Sequence, residues 1–288
     1  MANTTTEIVT VDGTVLNTYA TNIMTGTGRI MTPEIRGEDI LVPGRSGALY
    51  VPNKVVGPGE FVWAMWVQGC NSDGTIPGGS SRRLQFETNL ASLLRLFTRR
   101  SRLSYVTAVQ ADGTTREANV QWVETIEAST MMGRGRAEFT VAGMLPDVWW
   151  QTTANDGPQA ATVGATLPKT LNLSNFTGMT GTIEDATLTI AGPIQTPRVT
   201  DTDSGVWVQL NTTLGSGESW VLNASNWTST VGGVDKTSIT THGGHGRYII
   251  ISPMNSTSTT PQLVLSGTGG GTNTNLTVTT ARRKWLTA

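Results

Sequence analysis

Hydrophobic and polar residues alternate along many short segments of the chain, which is the period expected of half-buried β-strands. Near the N-terminus, "EIVTVDGTVLN" predicts a strand, a turn at Asp12-Gly13 and a second strand. Asp-Gly supplies the positive φ values that a two-residue hairpin turn needs. The same signal recurs at Asp112-Gly113. The first expectation is therefore a mainly β protein built from antiparallel hairpins.

The segment 61–67 departs from this alternation, because both of its faces would be apolar. One face would carry Phe61, Trp63, Met65 and Val67, and the other Val62, Ala64 and Trp66. A strand of this kind must be covered on both sides. We expect the core of its own domain on one side, and a helix, a second sheet or another subunit on the other.

One segment, 82–99, has the period of an α-helix instead of a strand. Its apolar stripe recurs at i, i+4, i+7, i+8 and i+11, on Phe86, Leu90, Leu93, Leu94 and Phe97. Ser80 or Ser81 is a suitable N-cap. We expect this helix to cover one face of the 61–67 strand.

After residue 150 the pattern changes. The stretch 151–170, "QTTANDGPQAATVGATLPKT", is small, polar and aperiodic, which predicts a linker. Six short strands follow, without a helix, in "ATLTIAG", "GVWVQLN", "SWVLNAS", "RYIIIS", "PQLVLSG" and "NLTVTTARRKWL". This pattern predicts an antiparallel sandwich. The predicted organisation is thus a domain at 1–150, a linker at 151–170 and a second domain at 171–288.

Composition narrows the class of protein. The 288 residues have a formal net charge of −1, whereas nucleic-acid binders usually carry a basic excess. No apolar run approaches the length of about 18 residues that a membrane-spanning helix needs. The N-terminus does not have the pattern of a signal peptide, and Cys70 is the single cysteine. These features favour folding in a reducing cytoplasm, without disulfides.

Candidate chemistry is sparse. The only histidines, His242 and His245, lie in "THGGHG" with no third metal ligand nearby in sequence, so we predict no metal site and no cofactor. The acidic pairs Glu38-Asp39 and Glu184-Asp185 are adjacent residues, whose side chains point to opposite faces of a strand. The sequence therefore predicts a protein that is not an enzyme. A hydrolase stays an alternative, and it would need one of the histidines beside an acid or a serine.

Three tryptophans in the second half have two interpretations. Their rings are able to form a flat platform for sugars, which makes Trp207, Trp220 and Trp227 candidate glycan contacts. Packing in a core is the simpler interpretation, and we prefer it for at least two of them.

The stretch 36–47, "RGEDILVPGRSG", introduces a family resemblance. Within "TPEIRGEDILVPGRSGALY" it resembles the distal tail protein (Dit) family of phages with long non-contractile tails. Minor tail proteins of phages that infect actinobacteria share this pattern of R-G-E-D followed by V-P-G-R-x-G. The resemblance continues through the helix, "AEFTVAGMLPDVWW", the segment from "GTIEDATLTIAG" to "GESWVL", and the terminal "ARRKWL".

The resemblance implies a fold and a role. The fold would be a β-sandwich or barrel-like ring domain with one α-helix, followed by a galectin-like antiparallel β-sandwich. Six copies would form a ring in the virion, at the distal end of the tail tube. This ring would connect the tube to the tail-tip hub. The implied partners are the tail tube protein and the tail-associated hub protein, with tape measure and receptor-binding proteins as further partners. DNA would pass through the lumen without specific binding, and no membrane is implied.

This role assigns tasks to particular residues. Arg36, Glu38, Asp39 and Arg45 would make contacts within or between subunits, together with Trp63 and Trp66. The alternative function is a carbohydrate-binding module that attaches the phage to the host cell wall through Trp207, Trp220 and Trp227.

Overall fold

The computed structural model describes residues 8–24, 34–36, 40–41, 48–49, 55–76, 82–99, 101–110, 113–123, 128–131, 135–162, 164, 166–244, 249–254 and 260–286. The chain divides into two compact units. Unit 1 comprises Met1–Gln151 with Leu286–Ala288, and unit 2 comprises Thr152–Trp285. The protein is mainly β, as its alternating sequence predicts.

Unit 1 contains the one α-helix of the described residues, α1 (Arg82–Phe97). Its strands are β1 (Val9–Val11), β2 (Thr14–Val15), β3 (Thr21–Ile23), β4 (Ile35–Arg36), β5 (Ile40–Leu41), β6 (Ala48–Leu49), β7 (Val55–Val56), β8 (Gly59–Gln68), β9 (Ser104–Val109), β10 (Thr115–Trp122), β11 (Ala128–Met131) and β12 (Arg136–Leu145), with β13 (Trp150–Thr152) at its end. The main sheet has the order β2-β1-β9-β10-β12-β8-β3. β11 pairs with the first part of β12, on the edge that pairs with β10 further along.

The first predicted hairpin is confirmed. β1 and β2 are paired around Asp12 and Gly13, whose φ values are 48° and 81°. The Asp12 carboxylate also accepts hydrogen bonds from the Arg99 guanidinium at 2.8 Å and from the Tyr105 amide at 3.0 Å. The turn therefore ties the residues that follow α1 to the sheet. The β9–β10 hairpin is also present, although Asp112 of its turn lies outside the described residues.

The helix covers the inner face of β8, as its apolar stripe predicts. Phe86, Leu93 and Phe97 belong to the same buried cluster as Trp63 and Met65. Leu90 packs against that cluster from a half-buried position. Leu96, and not the predicted Leu94, completes the buried side of the helix. Both proposed caps, Ser80 and Ser81, lie outside the described residues.

All strands of unit 2 except β26 form two antiparallel sheets. Its strands are β14 (Gln159–Thr162), β15 (Lys169–Asn172), β16 (Thr187–Ala191), β17 (Ile194–Asp201), β18 (Trp207–Leu210), β19 (Thr213–Leu214), β20 (Ser219–Asn223), β21 (Thr228–Val231), β22 (Val234–Asp235), β23 (Thr240–Gly243), β24 (Gln262–Thr268), β25 (Asn275–Thr280) and β26 (Lys284–Trp285). Short 3-10 turns occupy Ser174–Phe176 and Thr237–Ile239. One sheet has the order β14-β25-β16-β20-β21-β22, and the other β15-β24-β17-β18-β23.

The two sheets of unit 2 share one core. Leu188 and Trp220 of the first sheet belong to the same buried cluster as Val199, Val208 and Leu265 of the second. In each of these strands buried and half-buried residues alternate, so every second side chain enters the core. This arrangement is the sandwich that the period-two pattern predicts.

Two predicted elements of unit 2 are different in the structure. The stretch 151–170 is not an unstructured linker, because β14 pairs with β25 and the start of β15 pairs with β24. The edge position of these strands explains the weak pattern, since an edge strand needs less apolar surface. "RYIIIS" does not form a strand in its described part: Ile251 makes a single bridge to Ile183, and both side chains are buried.

Candidate functional site

The outer face of β8 is formed by Val62, Ala64 and Trp66, and it is an apolar surface of the main sheet that α1 does not cover. Val62 is 50% exposed, whereas Ala64 and Trp66 are half-buried. Trp66 lies opposite Asn22 of β3 and Glu138 of β12. The prediction that this strand has two apolar faces is therefore confirmed, and within the described residues the outer face is only partly covered.

Trp63 cannot serve as the predicted subunit contact. It is 2% exposed and packs against Phe61 and Trp122, with ring centroids 4.7 Å and 5.7 Å away. The alternation of a strand decides this, because residue 63 faces the core whenever residue 66 faces outward. Only Trp66 of the predicted pair is on the side that another molecule is able to reach.

An ion pair borders Trp66. The Arg136 guanidinium carbon lies 5.2 Å from the centre of the Trp66 ring, and Arg136 Nη2 lies 2.9 Å from Glu138 Oε1. Both charged side chains are more than one-third exposed, so the pair contributes little to stability by itself. Its place beside an apolar strand suits a contact in which charges set the register.

The chain before β8 contains two short pairs of antiparallel strands. Ile35–Arg36 pairs with Val55–Val56, and Ile40–Leu41 pairs with Ala48–Leu49. Within the described residues each pair is a two-stranded sheet of its own. We call them the β4–β7 strand pairs. Arg36 is in β4, whereas Glu38, Asp39 and Arg45 lie outside the described residues.

Trp220 cannot be a glycan contact. Its exposure is 0%, and its indole Nε1 donates a 2.8 Å hydrogen bond to the buried Ser229 hydroxyl. The side chain is part of the sandwich core. Core packing, the interpretation preferred from the sequence, is confirmed for this residue.

Trp207 lies on the outward side of the second sheet and is half-buried. A Cβ added to Gly243 would come within 2.6 Å of the Trp207 ring, so the ring lies against the backbone of β23. The Arg198 guanidinium carbon lies over the ring, 3.9 Å from its centre. With these two neighbours against it, the indole is not an open platform for a sugar ring.

Trp227 is the most accessible of the three candidate tryptophans. It is 44% exposed and lies in the turn between β20 and β21, with φ of 59°. Few bulky residues adopt such a positive φ. Hydrogen bonds from Ser225 to Asn223 and from Thr228 to Asn226 hold the turn. It remains a candidate contact residue.

The described residues contain no group of three or more His, Cys, Asp or Glu side chains that could hold a metal ion. His242 is exposed on the edge strand β23, and His245 is outside the described residues. Asp185 forms an ion pair with Lys284 at 3.0 Å. No described helix is long and apolar enough to cross a membrane.

The carboxyl groups with shifted pKa values are also unlike catalytic acids. A hydrogen bond from the Thr75 hydroxyl lowers the pKa of Asp73, and one from the Thr237 hydroxyl lowers that of Asp235. Both side chains are exposed, Asp73 in a turn and Asp235 at the end of β22. A general acid needs the opposite shift.

Comparison with known proteins identifies the fold class. No protein-family model and no curated protein sequence matches the chain. The solved structure of the SPP1 Dit (gp 19.1) protein, described as a paradigm of the hub adsorption apparatus in phages that infect Gram-positive bacteria, is similar over 97% of this chain and 99% of its own. The identity is 12% and the TM-score 0.54. The chain therefore shares the overall fold of that solved structure.

Two phage baseplate structures are also similar along the whole length. They are the phage p2 baseplate in its activated conformation with Sr, at 10% identity and a TM-score of 0.35, and with Ca, at 9% and 0.37. Each covers 98% of this chain and 99% of its own. TM-scores of this size do not establish a shared fold.

Proposed function

We propose that the protein is a non-enzymatic, structural component of a phage tail tip, and that several copies form a ring between the tail tube and the hub. The observation that carries the proposal is the likeness to the SPP1 Dit fold, which extends over 97% of the chain and includes both units. Six copies, virion location and contacts with the tube and hub proteins follow from the family resemblance of the sequence.

The outer face of β8 supports assembly. Val62, Ala64 and Trp66 form an apolar strip on β8, the strand next to the short edge strand β3, and the Arg136–Glu138 ion pair borders it. An apolar centre with polar groups around it is the usual composition of a subunit interface. We therefore place one side of the ring contact on this face, with Trp66 near its centre.

The β4–β7 strand pairs support assembly independently. A two-stranded sheet is marginally stable alone. Among the described residues neither pair is joined to a third strand. Docking on a neighbouring copy would add stability to these pairs and would give their edge groups hydrogen-bonding partners. Arg36, Glu38, Asp39 and Arg45 belong to this segment, and contacts through them stay a prediction.

Ring assembly is tested by mass photometry of the purified chain and of Trp66→Glu. The wild type should form an oligomer near six copies, and the variant should be mainly monomeric, because a charge would be buried in the apolar contact. Leu84→Glu is the matched control: Leu84 is exposed on α1, which covers the opposite face of β8. A wild-type chain that stays monomeric at high concentration and does not assemble on the tube protein would refute the proposal.

The lumen of the ring offers a second measurement. A channel that lets DNA pass must not hold phosphates, so the lumen should be neutral to acidic. The assembled ring should therefore show no tight, salt-dependent binding of duplex DNA in fluorescence anisotropy. Tight binding that weakens steeply with salt would contradict this role.

A further inference from the structure

The outward side of the second sheet of unit 2 has an arginine with an unusual environment. Arg198 of β17 lies opposite Gln209 of β18 and Ser266 of β24. Trp207 and Thr241 occupy the next positions on the same side, as the β18–β23 register requires. We call these residues the Arg198 face.

Three arginines of the described residues lie over tryptophan rings, and Arg198 differs from the other two. Arg136 and Arg283 lie 5.2 Å and 5.3 Å from the ring centres, and each forms a 2.9 Å ion pair with a carboxylate. Arg198 lies closer, at 3.9 Å. Its guanidinium makes no hydrogen bond or ion pair with a described residue, although the side chain is half-buried.

The geometry holds this guanidinium in a defined position. The Trp207 ring lies against β23, and this is possible because residue 243 is glycine. Arg198 then packs on the ring. A guanidinium above an aromatic ring keeps its N–H groups available at its edge, in the planar fork that matches a carboxylate or a phosphate. The free donors are therefore preorganised for an anion.

The neighbouring side chains indicate what the anion is attached to. Gln209, Ser266, Thr200 and Thr241 supply neutral amide and hydroxyl groups on the same side of the sheet. Gln209 Nε2 donates a 2.8 Å hydrogen bond to Asn211 Oδ1, which fixes the orientation of the Gln209 amide group. Neutral hydrogen-bonding groups around one positive charge complement a polyhydroxylated molecule with one negative group.

We propose that the Arg198 face binds an acidic saccharide. Its carboxylate or phosphate pairs with Arg198, and its hydroxyl groups contact the neutral side chains around Gln209. The indole of Trp207 supports the arginine from behind and does not stack on the sugar. This site differs from a tryptophan platform, because charge and not ring stacking selects the ligand. It lies in unit 2 and does not depend on ring assembly.

The test uses the full-length chain and four matched probes: glucose, glucuronate, glucose 6-phosphate and inorganic phosphate. Binding is followed by tryptophan fluorescence and by the indole N–H signal of Trp207 in NMR spectra. The acidic sugars should bind at least about ten-fold more tightly than glucose, because a charge-assisted bidentate pair is stronger than neutral hydrogen bonds. A preference for glucuronate or for glucose 6-phosphate identifies the acidic group as a carboxylate or a phosphate.

Variants separate the site from general charge effects. Arg198→Gln should weaken binding of the preferred acidic sugar about ten-fold, and Arg198→Lys should restore part of it, since lysine keeps the charge without the fork. Arg83→Gln, which removes an exposed arginine of α1, should bind as the wild type does. Gly243→Ala should also weaken binding, because the added Cβ displaces the Trp207 ring.

Four results would overturn the proposal. They are no binding of either acidic sugar by the wild type, equal binding of glucose, unchanged binding by Arg198→Gln, and inorganic phosphate binding as tightly as the preferred sugar. Thermal melting of each variant shows whether it is folded. If Arg198→Gln does not fold, the affinities of the wild type for glucose, glucuronate and glucose 6-phosphate still test whether the acidic group is required. Mass photometry of Arg198→Gln separates this proposal from ring assembly, since the variant should assemble normally.

Discussion

Individual residues of the same type have different roles in this protein because strands and turns point them in different directions. Trp220 fills the core of unit 2, Trp207 supports an arginine on the sheet surface, and Trp227 is held at a turn in a conformation that bulky residues seldom adopt. Sequence neighbours do not distinguish Trp207 from Trp220, because each has a valine directly beside it in a short segment.

The contrast between Trp220 and Trp227 is testable by substitution with alanine. Trp220→Ala should lower the free energy of unfolding by about 3–5 kcal/mol, because it leaves a large cavity and removes one of the hydrogen bonds of the Ser229 hydroxyl. Trp227→Ala should change it by less than about 1 kcal/mol, since the side chain is exposed. Urea unfolding followed by circular dichroism measures both. Equal losses for the two variants would mean that Trp227 is also a packing residue.

At the scale of elements, the fold depends on contacts that join segments distant in sequence. The turn after β1 holds the residues beyond α1 through Asp12, which accepts hydrogen bonds from Arg99 and from the Tyr105 amide. In unit 2, β17 contains Pro197, which sequence rules would exclude from a central strand. The strand accommodates it at an irregularity between Gln195 and Arg198, where Thr196 has φ of 44°.

The role of the Asp12 turn is tested by removing one ion pair at a time, Asp12–Arg99 or Glu87–Arg83, and comparing the losses of unfolding free energy. Asp12→Asn keeps an acceptor for the Tyr105 amide but removes the charge, and it should cost about 0.5–1 kcal/mol of unfolding free energy, less at high salt. Asparagine also tolerates the positive φ of this position.

The control is Glu87→Gln, which breaks the exposed pair with Arg83 and should cost less than about 0.5 kcal/mol. The Asp12 carboxylate side chain is only 7% exposed, compared with 53% for Glu87, which is why the two should differ. An equal effect of the two variants, or no salt dependence for Asp12→Asn, would show that the turn does not hold the helical region electrostatically.

At the scale of the whole molecule, each unit has a hydrophobic core of its own. The buried cluster with Trp63 lies entirely in unit 1, and the cluster with Trp220 lies entirely in unit 2. Hydrogen bonds to Asp156 connect the two ends of unit 2. Asp156 accepts one from the Thr152 hydroxyl at 2.6 Å and one from the Arg283 amide at 2.7 Å.

A fragment of residues 152–288 should therefore fold alone. We expect a cooperative thermal transition and dispersed NMR signals, because the fragment keeps the complete sandwich core. The same fragment with Asp156→Ala should melt at a lower temperature, with a loss of about 1–3 kcal/mol from the acceptor of a buried network. A fragment without a cooperative transition would show that unit 2 needs the rest of the chain for its stability.

Much of the local structure follows from the sequence alone. The Asp12-Gly13 hairpin, the helix with Phe86, Leu93 and Phe97 on its buried side, and the two apolar faces of β8 all result from residue spacing and turn chemistry. These depend on interactions between residues that are close along the chain, so a single sequence contains enough information. The mainly β class follows for the same reason.

The surfaces that carry the proposed functions were decided only by tertiary structure. Strand alternation buried Trp63 and turned Trp66 outward only once the core side of β8 was settled by α1. β14 became a strand because β25 was there to pair with it, not because of its own composition. Arg198 and Trp207 lie on consecutive paired strands, whereas Gly243 comes much later in the chain and reaches them through the pairing of β18 with β23. Such meetings depend on long-range register, which local residue patterns do not encode.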